Sequence, residues 1–282
     1  MEIGSIFRPG LFAGQVVVVS GGGTGIGRAI ARELAALGAT VVLCSRAAAH
    51  LEPTRDEIVA AGGQAEAIVC NIREAEAVEA LFATVAERHG KIDGLVNNAG
   101  GQFLSPAEAI SPRGWHAVVE TNLTGPFYMA RAAFAHGMRE RGGAIVNIVM
   151  ENWRGFPGMA HSGAARAGVV NLTQSLALEW APHSIRVNAV APGLINSSGL
   201  QTYPPEVQAG FARIASEVPA GRMGTEGEVA AAVVFLLSPA AAFISGATLR
   251  VDGAGSLYRL QGYTIPDHTP WPAFPASPDD EG

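Results

Sequence analysis

Eight residues near the N-terminus, Ser20-Gly21-Gly22-Gly23-Thr24-Gly25-Ile26-Gly27, constrain this chain more than any other feature. The run Val16–Ser20 ahead of them is short and β-branched, the pattern of a strand buried on both faces. Beyond them Ile30, Leu34 and Leu37 recur at the spacing of one helix face, and the pattern stops at Gly38. A strand that passes through a tight glycine turn straight into a helix is the opening half of a parallel strand–helix–strand unit. Such a chain must cover both faces of its sheet with helices.

The rest of the sequence repeats that alternation. Apolar runs at residues 40–44, 67–70, 94–97, 144–149, 186–190 and 248–251 read as six further strands. Helix-period segments at residues 53–61, 76–89, 115–139 and 163–180 lie between them. The uncharged stretch 229–249 is broken by Ser238, Pro239 and Gly246, so it reads as a helix, a loop and a strand rather than a membrane span. The expectation is one α/β domain over residues 1–255, doubly wound and Rossmann-like, with seven parallel strands and helices on both faces. Residues 256–282 differ: Pro266, Pro270, Pro272, Pro275 and Pro278 precede Asp279, Asp280 and Glu281. That composition predicts a tail extended over the surface or a neighbouring subunit.

Charge narrows the partners. Nineteen Lys and Arg against 25 Asp and Glu give a net charge of −6, with no basic cluster, which argues against nucleic acid and anionic membrane. Two cysteines, Cys44 and Cys70, are too few for a disulfide framework or a clustered metal site. They read as reduced, partly buried thiols, and with no leader visible at residues 1–10 the expected location is cytoplasmic.

The glycine turn itself points to a phosphate ligand. Gly21, Gly23, Gly25 and Gly27, with Thr24 and Ile26, lie where a tight turn needs positive φ and where a pyrophosphate must approach backbone. The helix that follows offers free N–H groups and the positive end of its dipole. The reading is a nicotinamide dinucleotide. At the end of the second strand stands Cys44-Ser45-Arg46, with no acid to hold a ribose 2′-hydroxyl. An arginine there can pair bidentately with a 2′-phosphate, which favours NADP(H).

Asn97-Asn98-Ala99-Gly100, Thr121-Asn122-Leu123-Thr124-Gly125 and Pro192-Gly193, together with the glycine turn, resemble the short-chain dehydrogenase/reductase family over residues 12–255. The resemblance implies that Asn71 and Ile72 meet the adenine and that Asn98, Ala99 and Gly100 line its ribose. It places Pro192, Gly193 and Ile195 at the nicotinamide and Ser197 near the carboxamide. It implies a homo-oligomer, tetramer or dimer, and a catalytic set of an Asn like Asn122, a Ser after the fifth strand and a Tyr-x-x-x-Lys pair. Here Ser162 stands at the tyrosine and Arg166 at the lysine, and the serine falls on Val149 or Met150. The only lysine is Lys91, and none of the four tyrosines has a lysine four residues on.

That substitution selects chemistry. Carbonyl reduction needs a nearby acid to protonate an oxyanion; a serine is a far weaker acid than a lysine-activated tyrosine, and arginine does not titrate near neutrality. Reduction of a C=C conjugated to a thioester instead needs donors aimed at an enolate oxygen. Ser162 and Arg166, four apart, share a helix face and can serve the enolate and the cofactor ribose.

Residues 97–111, 114–129, 161–173 and 175–181, with Pro266-Asp267-His268, resemble peroxisomal trans-2-enoyl-CoA reductases. This implies an NADPH-dependent reduction of a 2-enoyl-CoA in fatty acid metabolism. The tyrosine and lysine of those enzymes fall on Val170 and Gln174. The tyrosine of related dienoyl-CoA reductases falls near Glu151, a possible acid if buried. Ser162 also fits a helix N-cap, and His161 a supporting or surface position. Two other readings stay open: an alcohol dehydrogenase or carbonyl reductase with an atypical proton donor, and a catalytically weak cofactor-binding subunit.

Overall fold

Every residue of β1 (Val16–Ser20) is buried, because valines on both faces of the strand need helices on both sides. In the computed structural model, which describes residues 6–151, 153–200, 203–258 and 268–274, those helices are present. Parallel β2 (Thr40–Ser45), β3 (Gln64–Val69), β4 (Gly94–Asn97), β5 (Gly143–Ile148), β6 (Ile185–Pro192) and β9 (Thr248–Val251) complete a seven-stranded sheet. The order is β3-β2-β1-β4-β5-β6-β9, so the direction of winding reverses between β1 and β4. A two-residue pair, β7 (Ile195–Asn196) and β8 (Gly224–Thr225), stands apart from it and has no periodic signal in the sequence.

Helices α1 (Gly25–Ala36) and α9 (Glu226–Leu237) pack together on one face around Val17, Val19, Ile30, Leu34 and Val233. On the other, α3 (Ala75–His89), α5 (Gly125–Ala133) and α7 (Ala160–Glu179) enclose Val18, Phe82, Leu95, Met129 and Ile145. Each fully buried Val, Leu or Phe contributes about 1.5–3 kcal/mol relative to exposure. Among the described residues no helix is long and apolar enough to cross a membrane.

Several boundaries differ from expectation for local reasons. The helix expected at 53–61 is α2 (Ala48–Ala60): Leu51 is fully buried, and the helix carries Pro53 inside it at the cost of one backbone bond. Strand β3 begins at Gln64 rather than 67, because an edge strand exposes polar residues that mask its pairing with β2. Helix α7 begins at Ala160 rather than 163, which places Ser162 in its first turn; the cap position is Met159, so Ser162 is not a cap. Helix α8 (Pro205–Ser216) was not among the expected elements, although Val207, Phe211, Ile214 and Ala215 recur at helix spacing behind a proline start.

The helix expected at 115–139 is a composite. Ser111 caps α4 (Pro112–Val119), a π turn follows at Glu120–Thr124, then come α5, a second π turn at Phe134–Met138 and α6 (Arg139–Arg141). Pro126 has no N–H to offer the carbonyl of Asn122 four residues back, and the wider turn absorbs that break.

Of the tail, residues 259–267 (with Pro266 and Asp267) and 275–282 lie outside the described residues. Residues 268–274 run without regular structure along residues 220–228, a course over this chain's own surface. Trp271 N donates to Ala220 O, and the Arg222 guanidinium donates to the carbonyls of Trp271 and Pro272. Arg222 also grips Glu228, which closes the capping box on α9 with Thr225.

Candidate active site

The glycine turn is shaped by contacts that admit no side chain. A Cβ on Gly23 would lie 1.8 Å from the His50 carbonyl oxygen, and one on Gly27 would lie 2.1 Å from that of Gly21. Gly25 differs. Its φ is +55°, and a Cβ there would meet only Ser198 and Glu226 side-chain oxygens at 3.3 and 3.4 Å. The strand end is therefore closed around Gly23 and open above Gly25. Thr24 precedes α1 in extended backbone with no side-chain cap, and the first turn carries no acid. The helix presents unpaired N–H groups and its positive end, the arrangement a pyrophosphate fits.

Other expected cofactor residues hold the cradle together. The Asn98 side chain donates to the carbonyls of Ser20 and Gly21 at 3.1 Å each, and Ser20 Oγ accepts from the N–H groups of Asn98 and Ala99. Asn71 Oδ1 accepts from Arg73 while its Nδ2 donates to Glu74. Ile72 is buried beneath Gly125, in the core rather than on the surface. Arg46 is exposed beyond β2. Pro192 and Ile195 are buried, and Gly193 lies against Asp252. Ser197 is half-buried, and its carbonyl accepts from Leu200 N.

Asn122, Ser162 and Arg166 come together at the carboxyl ends of β4 and β5. Asn122 is fully buried in the π turn; its Oδ1 accepts from Gly101 N at 2.9 Å and its Nδ2 donates to Gly101 O at 3.0 Å. That is a grip on active-site backbone, not the bond to its own helix that a mid-helix Asn would make. Asn122 Nδ2 also reaches Ser162 Oγ at 3.4 Å, and Ser162 Oγ donates to Gln102 Oε1 at 2.9 Å. Met150 approaches the same hydroxyl at 3.8 Å through sulfur.

Arg166 is 7% exposed and donates from Nη1 to the Ile148 carbonyl at 2.7 Å. Among the described residues no carboxylate pairs with it. Burial lowers its pKa to about 10, so it remains a cation at neutral pH. Its Nη2 abuts Gly100, where a Cβ would lie 2.2 Å away. A buried cation held only by a carbonyl is costly by itself and calls for a polar group from outside the chain. A polyhydroxyl ribose between the glycine turn and this cation meets that need, so the residues fit a nicotinamide dinucleotide.

His161, which the sequence left as a supporting or surface residue, is fully buried. Its Nδ1 accepts from Ser162 N at 2.9 Å, its ring meets Phe103 edge-on, and its Nε2 has no hydrogen-bond partner among the described residues. Glu151 is half-buried and lines a cavity of about 630 Å³ with Arg154, Gly193, Leu194, Ile214 and Tyr258. Arg154 bolts this wall in place by donating to the carbonyls of Ser256 and Tyr258. Arg250 adds a bond to Ser256 and stacks on Trp153 at 4.2 Å. Among the described residues no group of three or more His, Cys, Asp or Glu is placed to hold a metal. Cys44 and Cys70 are both buried and free; burial pushes both thiols up, Cys70 to about 11, so neither is a nucleophile at neutral pH.

Sequence reasoning missed Gln102. It follows the Gly100-Gly101 pair beyond the end of β4, and ligands of open α/β sheets bind outside such strand ends. That placement was the available signal.

Residues 21–255 match the sequence family described as enoyl-(acyl carrier protein) reductase. A peroxisomal 2,4-dienoyl-CoA reductase [(3E)-enoyl-CoA-producing] of Rattus norvegicus is 37% identical over 256 residues, covering 89% of this chain and 87% of the rat protein. A solved structure of the citronellol catabolism dehydrogenase of Pseudomonas aeruginosa PAO1 is 53% identical, with a TM-score of 0.81 over 89% of this chain and 99% of that one. The actinorhodin polyketide ketoreductase with NADPH is 36% identical, with a TM-score of 0.82 over 89% of this chain and all of its own.

Proposed function

The chain belongs to the short-chain dehydrogenase/reductase family, oxidoreductases whose fold binds a nicotinamide cofactor, and from that premise we propose that it uses NADP(H) to reduce the C=C bond of a 2-enoyl-CoA or similar activated alkene. One observation carries the reading: the cation beside Ser162 is a buried arginine, where a carbonyl reductase of the resembled kind has lysine beside tyrosine. The sole lysine, Lys91, pairs with Asp93 at 3.2 Å.

Bound NADPH supplies the hydride that adds to the β-carbon. The chain's own residues then manage the charge that appears on the thioester oxygen. The Ser162 hydroxyl donates to that oxygen, and Asn122 holds the serine and the Gly101 backbone in place. Arg166 adds a fixed positive field and holds the cofactor ribose, in a site dry enough for both to count. Glu151, half-buried on the cavity that Gly193 also lines, is the carboxyl group assigned to deliver the proton to the α-carbon once closure over the ligand buries it. Exposed Arg46 pairs with the 2′-phosphate and sets the preference for NADP(H). Exposed Leu178 and Phe243 support a homo-oligomer, tetramer or dimer, to be read by size-exclusion chromatography with light scattering. A cytoplasmic location completes the reading.

A second reading, oxidation of an alcohol or reduction of a ketone, is favoured by the 53% identical relative named for citronellol catabolism. NADPH consumption with crotonyl-CoA and longer 2-enoyl-CoA esters, beside NADP⁺ reduction with citronellol and a ketone panel, separates the two. Turnover of enoyl-CoA is expected. Turnover of alcohols or ketones alone installs the second reading, and tight NADPH binding without any turnover installs the catalytically weak subunit.

A further inference from the structure

We infer that Gln102 is a positioning residue that decides which way the Ser162 hydroxyl points; the inference rests on the reading that Ser162 donates to the substrate oxygen. Two amides flank that hydroxyl. Asn122 is fully buried and bound at both ends to Gly101, so its Nδ2, at a long 3.4 Å from Ser162 Oγ, offers that oxygen a donor and never an acceptor. The Ser162 proton must therefore leave in another direction. The acceptor at full hydrogen-bond strength is Gln102 Oε1 at 2.9 Å, with Met150 sulfur a weak neighbour at 3.8 Å. In this arrangement the hydrogen bond that the enolate oxygen needs is committed to an amide.

Gln102, unlike Asn122, is exposed, and among the described residues its far end is tied only by a long 3.4 Å contact from Nε2 to Tyr203 Oη. Turning its amide over exchanges both roles. Nε2 then donates to Ser162 Oγ, and Oε1 accepts the Tyr203 hydroxyl proton. The Ser162 O–H is then committed to neither amide, so the chain from Tyr203 through Gln102 to Ser162 ends in a donor available to substrate. Glutamine suits the post because its two ends are isosteric and opposite in hydrogen-bond sense. Gly101, held by Asn122, anchors the loop before the moving amide, and Phe103 against His161 and Ser105 N on Gly158 O anchor it after.

Replacing the amide by a group with one fixed sense tests this. In Gln102→Glu the carboxylate only accepts, and holds the Ser162 proton. With crotonyl-CoA and NADPH at pH 8, kcat should fall on the order of 100-fold, the loss expected for one oxyanion donor. As pH drops toward the ordinary glutamate pKa of about 4.3 the side chain regains a proton to donate, so kcat relative to the native enzyme should recover about tenfold by pH 5. Gln102→Leu neither traps nor donates; it should lose only about tenfold, with a native pH profile. NADPH affinity by fluorescence titration should match the native value in both, which shows that they fold. Equal losses with superimposable pH profiles, or a fully active Gln102→Glu at pH 8, overturn the inference. Ser162→Ala separates this from its premise: native turnover there overturns both, whereas a crippled Ser162→Ala beside an unshifted Gln102→Glu profile overturns the role of Gln102 alone.

Discussion

Arg166→Met should yield a protein that is more stable and less able to bind its cofactor. Burial drops the guanidinium pKa from its ordinary value to about 10, which at roughly 1.4 kcal/mol per tenfold change in proton affinity is a penalty of about 3 kcal/mol in the charged state. The bond from Nη1 to Ile148 O offsets about 1 kcal/mol of that, and methionine fills similar space without a charge. The net gain is about 2 kcal/mol, a rise of roughly 4 °C in melting temperature for a domain of this size. The folded state binds this proton less tightly than the unfolded chain, so the penalty is present in full below pH 10 and fades as pH rises past it. The stability difference between variant and native protein should narrow above pH 10. Thermal unfolding with and without saturating NADPH is the assay. The ligand-free variant should melt higher and gain much less from NADPH. A variant that melts several degrees lower, yet keeps the full NADPH-induced rise, refutes the assignment of Arg166 to the ligand.

Arg46→Asp should weaken NADPH by about 10- to 100-fold in fluorescence titrations while leaving NADH nearly unchanged, the loss of a charge-assisted pair; equal effects on both refute the 2′-phosphate contact. Gly23→Ala and Gly25→Ala should part company. The first drives a methyl into the His50 carbonyl and should cost about 1–3 kcal/mol of stability by denaturant unfolding. The second strains a residue at φ +55° by about 1–2 kcal/mol and should show chiefly as lost NADPH affinity. Arg222→Met removes the bonds to Trp271, Pro272 and Glu228, so limited proteolysis should cut within residues 268–274 faster than in the native chain.

The sheet was legible because its strands are short β-branched runs between punctuating glycines, and the glycine turn was legible because nothing but glycine fits around His50 and Gly21. Asn122, Ser162 and Arg166 could be named from position, and the structure brings them together. The partners of these residues could not be read in advance. That Ser162 bonds Gln102, 60 residues away, depends on β4 and α7 meeting at one sheet end, and no local pattern encodes that meeting. The burial of His161 was hidden because a polar residue beside a glycine-rich helix start looks like surface until Phe103 covers it. Helix α8 carries Val207, Phe211, Ile214 and Ala215 at helix spacing, but it opens on Pro204-Pro205 and, of its described side chains, only Ala215 is fully buried, so the stretch reads as part of a loop.

A π turn is an α-helix carrying one surplus residue, and the surplus at Glu120–Thr124 sets the two halves of this helix about 100° out of phase. The half before it packs against α7; the half after it turns Met129 and Ala133 toward α3. One continuous rod thus serves two neighbours that lie in different directions, with Asn122 at the change-over. Deleting a single residue anywhere between would swing one of those stripes into water. This stretch should therefore resist length changes in its relatives more stubbornly than its partly exposed surface suggests.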